Sequence, residues 1–527
     1  MKIGKGRLFA GLLVLMLFIA GCSYEDPNSS GASNGEQSGE AKGEIRVGLD
    51  IDAGSMDPRL TNESSGKRVT DIVFDGLIRL SDTQEPEPSL ATEWDNPDPL
   101  TWVFTLREDV KFHDGEPFTA EDVKYTFDKI LDPDFKAPFI SMYQPIESVE
   151  VIDEYKVQFN LNQPYAPLLS YLDIGIVPKH IAESDDQKMA SEPIGTGPYK
   201  MVKWDKNNKI QFEANEDYWA GAPKTKKVTY FIIPDNTTRV ASLEAGDIDI
   251  VHSPLSPQDI QRMKDNDDFV VEEKEGLGFT YLNFNQESDV IKDVKVRQAI
   301  SHLINKEVIS EDVYRNMDQP GLSPLVPSSW AYTEDVPTFP YDPEKSKQLF
   351  EEAGWKDTDG DGIYDKDGKL FKIQLSTHSE DPNRMQMVEY LQNEFEKNGI
   401  KTEVVTNEWS TFSANLMEGK YDIALLGWLN LTDPDRATYN QFHSTSGSNY
   451  GKYNNPKVDE LLESARASAD QNERKEMYKE IAQIVTEDVA YNVVLYQGYF
   501  AMYSNDVDGF TPYSNGSFYS LKDVSIQ

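Results

Sequence analysis

The side chains with the most suggestive spacing for chemistry are the carboxylates of a short Asp- and Gly-rich stretch. Asp357, Asp359 and Asp361 occupy the first, third and fifth positions of this stretch, and Gly362 occupies the sixth. Oxygen ligands at those positions, followed by glycine, are typical of a calcium-binding loop. The twelfth position, which supplies a bidentate glutamate in such loops, is Gly368. The stretch therefore predicts either a calcium site or a hairpin between a helix and a strand.

Motifs that would support catalysis are absent from the sequence. There is no GxSxG nucleophile motif, no HExxH motif and no Walker loop. Residues 195–198 (GTGP) lack the lysine of a phosphate-binding loop and predict a tight turn before a strand at residues 199–203. The six histidines lack metal-ligand spacing, and the carboxylates are too numerous for any pair to stand out. We therefore predict no enzymatic activity and no cofactor, and no metal other than the calcium alternative at the Asp-rich stretch.

The single cysteine of the chain, Cys22, ends an N-terminal hydrophobic run. Lys2, Lys5 and Arg7 precede an apolar stretch at residues 8–20, which is the pattern of a secretory signal peptide. The stretch is shorter than the ~20 apolar residues of a membrane-spanning helix. The Ile-Ala-Gly-Cys ending resembles a bacterial lipoprotein box, in which the cysteine is lipidated and becomes the first mature residue. An incidental cysteine after an ordinary signal peptide is the alternative.

The segment after Cys22 is rich in Ser, Gly, Asn and Glu and has no apolar periodicity. We interpret residues 1–21 as the signal peptide and residues 22–43 as a lipidated flexible tether. The rest of the chain would then lie at the extracytoplasmic face of the cell membrane, held there by the lipid alone. In a cell with an outer membrane it would face the periplasm.

The chain is long and strongly acidic. Its 527 residues are enough for two or three domains, and its formal net charge is −40. Such a charge repels phosphate backbones, so nucleic acid is not expected as a partner. The charge is spread along the chain, which favours a role in solubility over attraction of a cationic ligand.

The elements that must position any site follow an αβ pattern. Residues 44–49 predict the first strand, and Thr119 predicts the N-cap of a helix that runs to about residue 130. Strands alternate with helices between residues 371 and 427, which argues for βαβ units. Two further helices are predicted at residues 457–468 and 473–486.

Short motifs are distributed over nearly the whole mature chain. They are residues 90–94 (LATEW), 102–115 (WVFTLREDVKFHDG), 118–123 (FTAEDV), 194–199 (IGTGPY), 215–219 (NEDYW), 296–300 (VRQAI), 352–355 (EAGW), 421–422 (YD) with 427–428 (GW), and the final stretch 496–510. Together, and in this order, they resemble the bacterial extracellular solute-binding proteins of the oligopeptide, dipeptide and nickel group.

The resemblance implies an α/β, two-lobed, periplasmic-binding-protein-like fold with an extra inserted domain and a hinge of two crossover strands. Lobe I would comprise residues 44–75, 187–280 and 498–527. The inserted small domain would comprise residues 76–186, and lobe II residues 281–497. A monomer of this kind would close its lobes on an oligopeptide and deliver it to the permease subunits of an ABC importer.

The resemblance also suggests which residues contact the ligand, from the N-terminal segment, the inserted domain, the hinge crossings and lobe II. These residues are Asn62, Glu63, Ser64, Phe139, Tyr281, Asn283, Trp409, Trp428, Asp433 and Tyr496. For each aromatic residue, packing in a core is the alternative.

One departure from the family pattern affects the expected ligand. Many peptide binders carry an aspartate three residues after the tryptophan of Gly-Trp, where this chain has Leu431, and Asp433 follows. Leu416 and Leu425 occupy positions that are basic in some members. The pattern then favours a longer peptide held by backbone hydrogen bonds, or a different solute. A nickel chelate, haem, an oligosaccharide or a signalling peptide are such alternatives, and a secreted hydrolase is the most remote one.

Overall fold

The computed structural model describes residues 43–61, 64–185, 187–252, 255–379, 381–429 and 431–527. The predictions for the signal peptide, for Cys22 and for nearly all of the tether fall outside these residues, as do those for Asn62 and Glu63. Within the part of the chain that is described, none of the helices combines the length and the apolar character needed to cross a bilayer.

The β-strands range from two to 16 residues in length. They are β1 (Glu44–Leu49), β2 (Ile78–Leu80), β3 (Pro86–Pro88), β4 (Ala91–Asp98), β5 (Thr101–Leu106), β6 (Ile146–Asp153), β7 (Lys156–Leu161), β8 (Tyr199–Asp205), β9 (Lys209–Ala214), β10 (Lys227–Ile232), β11 (Ile250–Val251), β12 (Phe269–Phe284), β13 (Gln319–Pro320), β14 (Asp365–Lys366), β15 (Lys369–Leu370), β16 (Lys372–His378), β17 (Lys401–Asn407), β18 (Ile423–Trp428), β19 (Tyr491–Ser504), β20 (Val507–Asp508) and β21 (Ser525–Ile526).

The α-helices are mostly short and lie between the strands. They are α1 (Ser64–Val73), α2 (Ala120–Leu131), α3 (Leu168–Tyr171), α4 (Lys179–Ala182), α5 (Asn236–Glu244), α6 (Pro257–Lys264), α7 (Val294–Ser301), α8 (Lys306–Val308), α9 (Pro343–Glu352), α10 (Pro382–Lys397), α11 (Trp409–Met417), α12 (Pro434–Phe442), α13 (Pro456–Ala467) and α14 (Gln471–Glu487).

Helix starts follow local sequence rules. Thr119 is the N-cap of α2, as predicted, and its backbone N–H donates to the Asp122 carboxylate at 2.9 Å. Helices α6, α9, α10, α12 and α13 each begin with proline after a Ser, Asp or Asn cap whose side chain accepts a backbone N–H. Proline suits this position because its missing N–H would have no partner within the helix. The cap of α12 is Asp433, one of the predicted ligand residues.

A mixed sheet runs through both lobes in the order β17-β16-β18-β12-β19-β11-β1-β10-β9-β8, with β13 paired to β19. Strand β16 pairs in parallel with β17 and β18, which confirms the predicted βαβ units. The pairs β12–β18 and β12–β19 are antiparallel. The two-lobed α/β prediction is confirmed.

The long strands β12 and β19 cross between the lobes side by side. Their register is regular from Phe269 opposite Ser504 to Glu275 opposite Gly498, and then shifts before Phe279. At the shift, a Cβ on Gly276 would lie 2.5 Å from the Gln497 carbonyl oxygen. The glycine therefore permits the close backbone approach at this irregular point.

Separate hydrophobic cores fill the regions on either side of these strands. A core that contains β1, β8–β10 and the C-terminal segment lies in lobe I. A second core spans residues 77–176 and packs around the sheet β4-β5-β7-β6 and helix α2. In lobe II, Tyr281 and Leu282 belong to different cores, because neighbouring residues of β12 point to opposite faces of the sheet.

The glycines at residues 195 and 197 let the chain pass close to the end of α1. A Cβ on Gly195 would overlap the carbonyl oxygen of Val73, and one on Gly197 would lie 2.6 Å from the Val73 carbonyl carbon. Strand β8 begins at Tyr199, as predicted for the strand that follows this turn.

A half-buried histidine lies against the same turn. The Gly195 N–H donates to Nδ1 of His113 at 3.3 Å, so Nε2 carries the proton that is donated to the Gly197 carbonyl at 3.0 Å. Burial lowers the pKa of His113 to about 4, which keeps the ring neutral near pH 7.

Candidate ligand-binding site

A cavity of about 370 Å³ lies between α1, the segments at residues 138–143 and 170–175, and the start of α12. Its size is near the lower end of the range of ~300–1,000 Å³ that is usual for small-molecule pockets. Its walls come from five parts of the chain and consist of Pro58, Thr61, Lys67, Thr70, Asp71, Pro138, Phe139, Met142, Tyr143, Ser170, Tyr171, Asp173, Ile174, Gly175, Thr432, Arg436 and Asn515.

The lobe II wall is built on the first turn of α12. Asp433 is 0% exposed and pairs with Arg474 at 2.9 Å, while its other oxygen accepts the Ser170 hydroxyl at 3.0 Å. Asp435 forms two hydrogen bonds to Arg466, at 2.7 and 2.8 Å. These pairs compensate two carboxylates that would be too costly to bury alone, and they fix the start of α12.

The inserted region contacts lobe II directly at this point. Besides the bond from Ser170 to Asp433, the Ala166 N–H donates to the Arg466 carbonyl at 2.7 Å. The Arg466 guanidinium lies 3.1 Å from the ring centre of Tyr439 and 5.5 Å from that of Tyr165. The contacts beside the cavity therefore join elements more than 200 residues apart in sequence.

The opposite wall carries a charged cluster from α1 and the inserted region. Lys67 lies 2.9 Å from Asp173 and 3.6 Å from Asp71. Partial desolvation alone would lower the pKa of Lys67, but the charges of Asp173 and Asp71 outweigh it and raise the pKa above its ordinary value. Desolvation also raises the pKa of Asp71, against the attraction of Lys67. One cation faces two carboxylates, so this wall has an excess of negative charge.

Aromatic side chains line the part of the cavity contributed by the inserted region. Phe139 is half-buried and meets Tyr143 edge to face at 6.1 Å. The Tyr143 hydroxyl donates to the backbone carbonyl of Tyr171 at 2.7 Å. This bond orients the Tyr143 ring, against which Phe139 packs. This arrangement gives a firm apolar surface beside charged walls, as small-molecule sites generally require.

The family model described as the bacterial extracellular solute-binding proteins, family 5 middle, matches residues 85–450. The chain belongs to this family.

Relatives of this solute-binding protein align with it over most of their lengths. The chain is 30% identical over 528 residues to the oligopeptide-binding protein AppA of Bacillus subtilis, covering 97% of this chain and 96% of AppA. It is 32% identical over 483 residues to the heme-binding protein A of Haemophilus influenzae, with coverages of 85% and 86%. The structure of AppA from Bacillus subtilis with a nonapeptide superposes with a TM-score of 0.73 at 29% identity, covering 92% of this chain and 99% of AppA.

In this solute-binding protein, three residues predicted at the hinge crossings are bonded within the fold. Tyr281 packs at 4.8 Å against Tyr491, and the Asn283 amide donates to the Tyr421 hydroxyl at 2.9 Å. The Tyr496 hydroxyl accepts the Ser323 N–H at 2.6 Å and donates to the Ser323 carbonyl at 3.0 Å. All three side chains are buried, and their contact with ligand stays a prediction.

A carboxyl group is buried beside the crossover strands. Asp318 accepts the Gly498 N–H at 3.1 Å. Burial raises the pKa of Asp318 to about 7; this hydrogen bond and the charge of Arg384 oppose the rise. Asp318 immediately precedes β13, which pairs with the crossover strand β19.

The two predicted tryptophans of lobe II lie outside the residues that line the cavity. Trp409 is 53% exposed and meets His378 at 5.4 Å. Trp428 is half-buried at the end of β18, and its indole Nε1–H is buried with no hydrogen-bond partner among the described residues. A buried indole donor usually has a partner, so this N–H is a candidate to bond a ligand acceptor.

Of the ten predicted ligand residues, Phe139 lines the cavity and Asp433 bonds to Ser170 in its wall. Ser64 begins α1, next to the undescribed Asn62 and Glu63. The charged wall residues Lys67, Asp71, Asp173 and Arg436 were not found from sequence. The i,i+4 spacing of Lys67 and Asp71, and a basic residue in the first turn of α12, were the available signals.

The Asp-rich stretch forms an exposed loop before the hairpin of β14 and β15. Ligand oxygens of Asp357, Asp359 and Asp361 lie within 4.8 Å of one another. The Asp357 carboxylate accepts the Gly360 N–H at 2.7 Å and the Gly362 N–H at 3.1 Å. These bonds stabilise the loop by themselves, and the choice between a calcium site and a structural turn stays open.

Proposed function

We propose that this protein binds peptides outside the cytoplasm and delivers them to an ABC importer when its two lobes close on them. The cavity between the lobes is the observation that carries the proposal, because closing lobes stabilise a ligand by contacts absent in the open form. The relatives named as oligopeptide-binding proteins support peptides as the ligand class. The chain is proposed to act as a monomer without catalytic activity.

Titration calorimetry against a mixed peptide library tests this function. We expect saturable heat with peptides and none with sugars or metal chelates. Haem is included as a competitor because one relative is named a heme-binding protein. If no peptide gives a binding heat and another solute gives a clear one, the proposal is overturned.

The proposed domains are those expected from the resemblance: lobe I at residues 44–75, 187–280 and 498–527, the inserted domain at 76–186, and lobe II at 281–497. Their support is the separation of the cores on either side of β12 and β19. The proposed ligand contacts are those expected from the resemblance: Asn62, Glu63, Ser64, Phe139, Tyr281, Asn283, Trp409, Trp428, Asp433 and Tyr496.

Trp428 provides a mutational test of the proposed cleft. Replacing Trp428 by alanine should weaken peptide binding by more than ~1 kcal/mol, because a large aromatic contact and an available donor are lost together. Replacing Trp428 by phenylalanine keeps most of the contact and should give a smaller loss. Calorimetry measures both, and circular dichroism checks the fold. Unchanged affinity, or unfolding of the alanine variant, would place Trp428 in the core alone.

We also propose that Cys22 carries a lipid that holds the protein at the membrane. The support is the sequence of residues 1–22, with its basic start, apolar run and small residues before the cysteine. A Cys22→Ala protein should bind peptides normally and be released from the membrane fraction. Fractionation followed by blotting measures the release, and retention of this variant at the membrane would contradict the anchor.

A further inference from the structure

Arg436 is the charged residue of the cavity that has no oppositely charged partner among the described residues. It is half-buried in the lobe II wall, and its guanidinium has no hydrogen bond or ion pair with any described residue. The other charged side chains that line the cavity, Lys67, Asp71 and Asp173, form one cluster on the opposite wall. None of the Arg436 nitrogens is among the buried, unpartnered atoms of the described residues, so its five donors are accessible to a ligand.

The position of Arg436 in α12 makes the missing partner more notable. The residue lies in the first turn, where the partial positive charge of the helix end disfavours a cation. The neighbouring carboxylates do not compensate it, because Asp433 is bonded to Arg474 and Asp435 to Arg466. This part of the wall therefore holds three guanidinium groups and two carboxylates, and it has an excess of positive charge.

The two walls are complementary to a ligand that carries separated charges. The lobe II wall offers a guanidinium that has no partner among the described residues, and Thr432 lines the same cavity four residues earlier in the chain. The facing wall has two carboxylates for one ammonium group. A guanidinium binds a carboxylate through two parallel hydrogen bonds, which are among the stronger polar contacts in proteins.

We propose that Arg436 is the binding site for a carboxylate of the ligand and sets a preference for peptides with an accessible anionic group. The inference rests on the proposed peptide-binding function. The carboxylate comes either from the C-terminus of a peptide or from an acidic side chain. The chemistry at Arg436 is the same for both sources.

The test uses four pooled libraries of the same short peptides. Their C-termini are either free or amidated, and their acidic residues are either present or replaced by Asn and Gln. Each library is titrated calorimetrically into wild-type protein and into Arg436→Gln. The matched control is Arg315→Gln, which removes an exposed arginine that also has no ion pair among the described residues. Circular dichroism confirms that both variants fold.

We expect the wild type to lose about 10- to 100-fold in affinity when the relevant carboxylate is blocked, and Arg436→Gln to show the same loss with the unblocked library. Loss on amidation identifies the C-terminus as the source, and loss on neutralising side chains identifies an acidic residue. Arg315→Gln should bind as the wild type does. Equal affinity of wild type and Arg436→Gln for every library would overturn this inference and leave peptide binding intact. No binding of any library to the wild type would overturn the proposed function itself.

Discussion

Replacing Arg474 by methionine should lower the free energy of unfolding by about 3–5 kcal/mol. The substitution removes the cation that pairs at 2.9 Å with Asp433, and Asp433 is fully buried. The Ser170 hydroxyl and the N–H of Asp435 would remain bonded to this carboxylate. Neither supplies a positive charge, so a buried anion would lack its counter-charge. Urea denaturation followed by tryptophan fluorescence measures the change.

Two controls separate the loss of charge pairing from the loss of packing. The double variant Asp433→Asn, Arg474→Met removes the buried anion as well, and it should recover a substantial part of the stability. Lys457→Met breaks an exposed ion pair with Glu480 at 3.5 Å and should leave the free energy of unfolding almost unchanged. A loss for Arg474→Met as small as that of Lys457→Met would show that Asp433 does not depend on its partner.

The second large effect is expected from Gly195→Ala, which should destabilise the protein by at least about 2 kcal/mol. The added methyl group would overlap the carbonyl oxygen of Val73 at the end of α1. This is a backbone atom, so no side-chain rotation can relieve the overlap. The same change would disturb the N–H that is donated to His113. Thermal unfolding by calorimetry measures the effect.

Gly447→Ala is the matched control for this substitution. A Cβ at Gly447 has no heavy atom within 4 Å, and its φ lies outside the positive range. Alanine there should be neutral or slightly stabilising, because it restricts the unfolded chain without a cost in the folded one. If both alanine variants unfold at the wild-type temperature, the close packing of α1 against the turn is not important for stability.

Local patterns were sufficient to predict much of the secondary structure. The cap at Thr119 depends on a short-range rule, because Asp122, three residues later, bonds the start of the helix. The strands around β16 depend on another, because the alternation of apolar residues determines which face of a strand is buried. The arrangement of lobes came from the family resemblance, since nothing local indicates that β12 and β19 pair. The buried members of the core around α2 span residues 77–176, and the inserted domain at residues 76–186 stays a proposal.

The cavity walls could not be predicted in this way. Lys67 and Asp173 are 106 residues apart in sequence, and Ser170 and Asp433 are 263 residues apart. Which charges become paired, and which one is left over, depends on how three regions dock. Asp433 illustrates the difficulty, because the same Asp-Pro sequence that starts other helices also places a carboxylate at the contact between regions.

The paired crossover strands have a consequence for protein engineering. The chain leaves the shared ribbon at Phe284 and returns at Tyr491, which lies opposite Asn283 in the register. Opposed residues of antiparallel strands have Cα atoms only ~5 Å apart, so the entry and exit of this half are neighbours. The segment between them is a cassette that a tight turn could replace, or that could be exchanged for its counterpart from a relative. Chimaeras joined at these two positions would transfer one half of a binding cleft while the hinge stays the same.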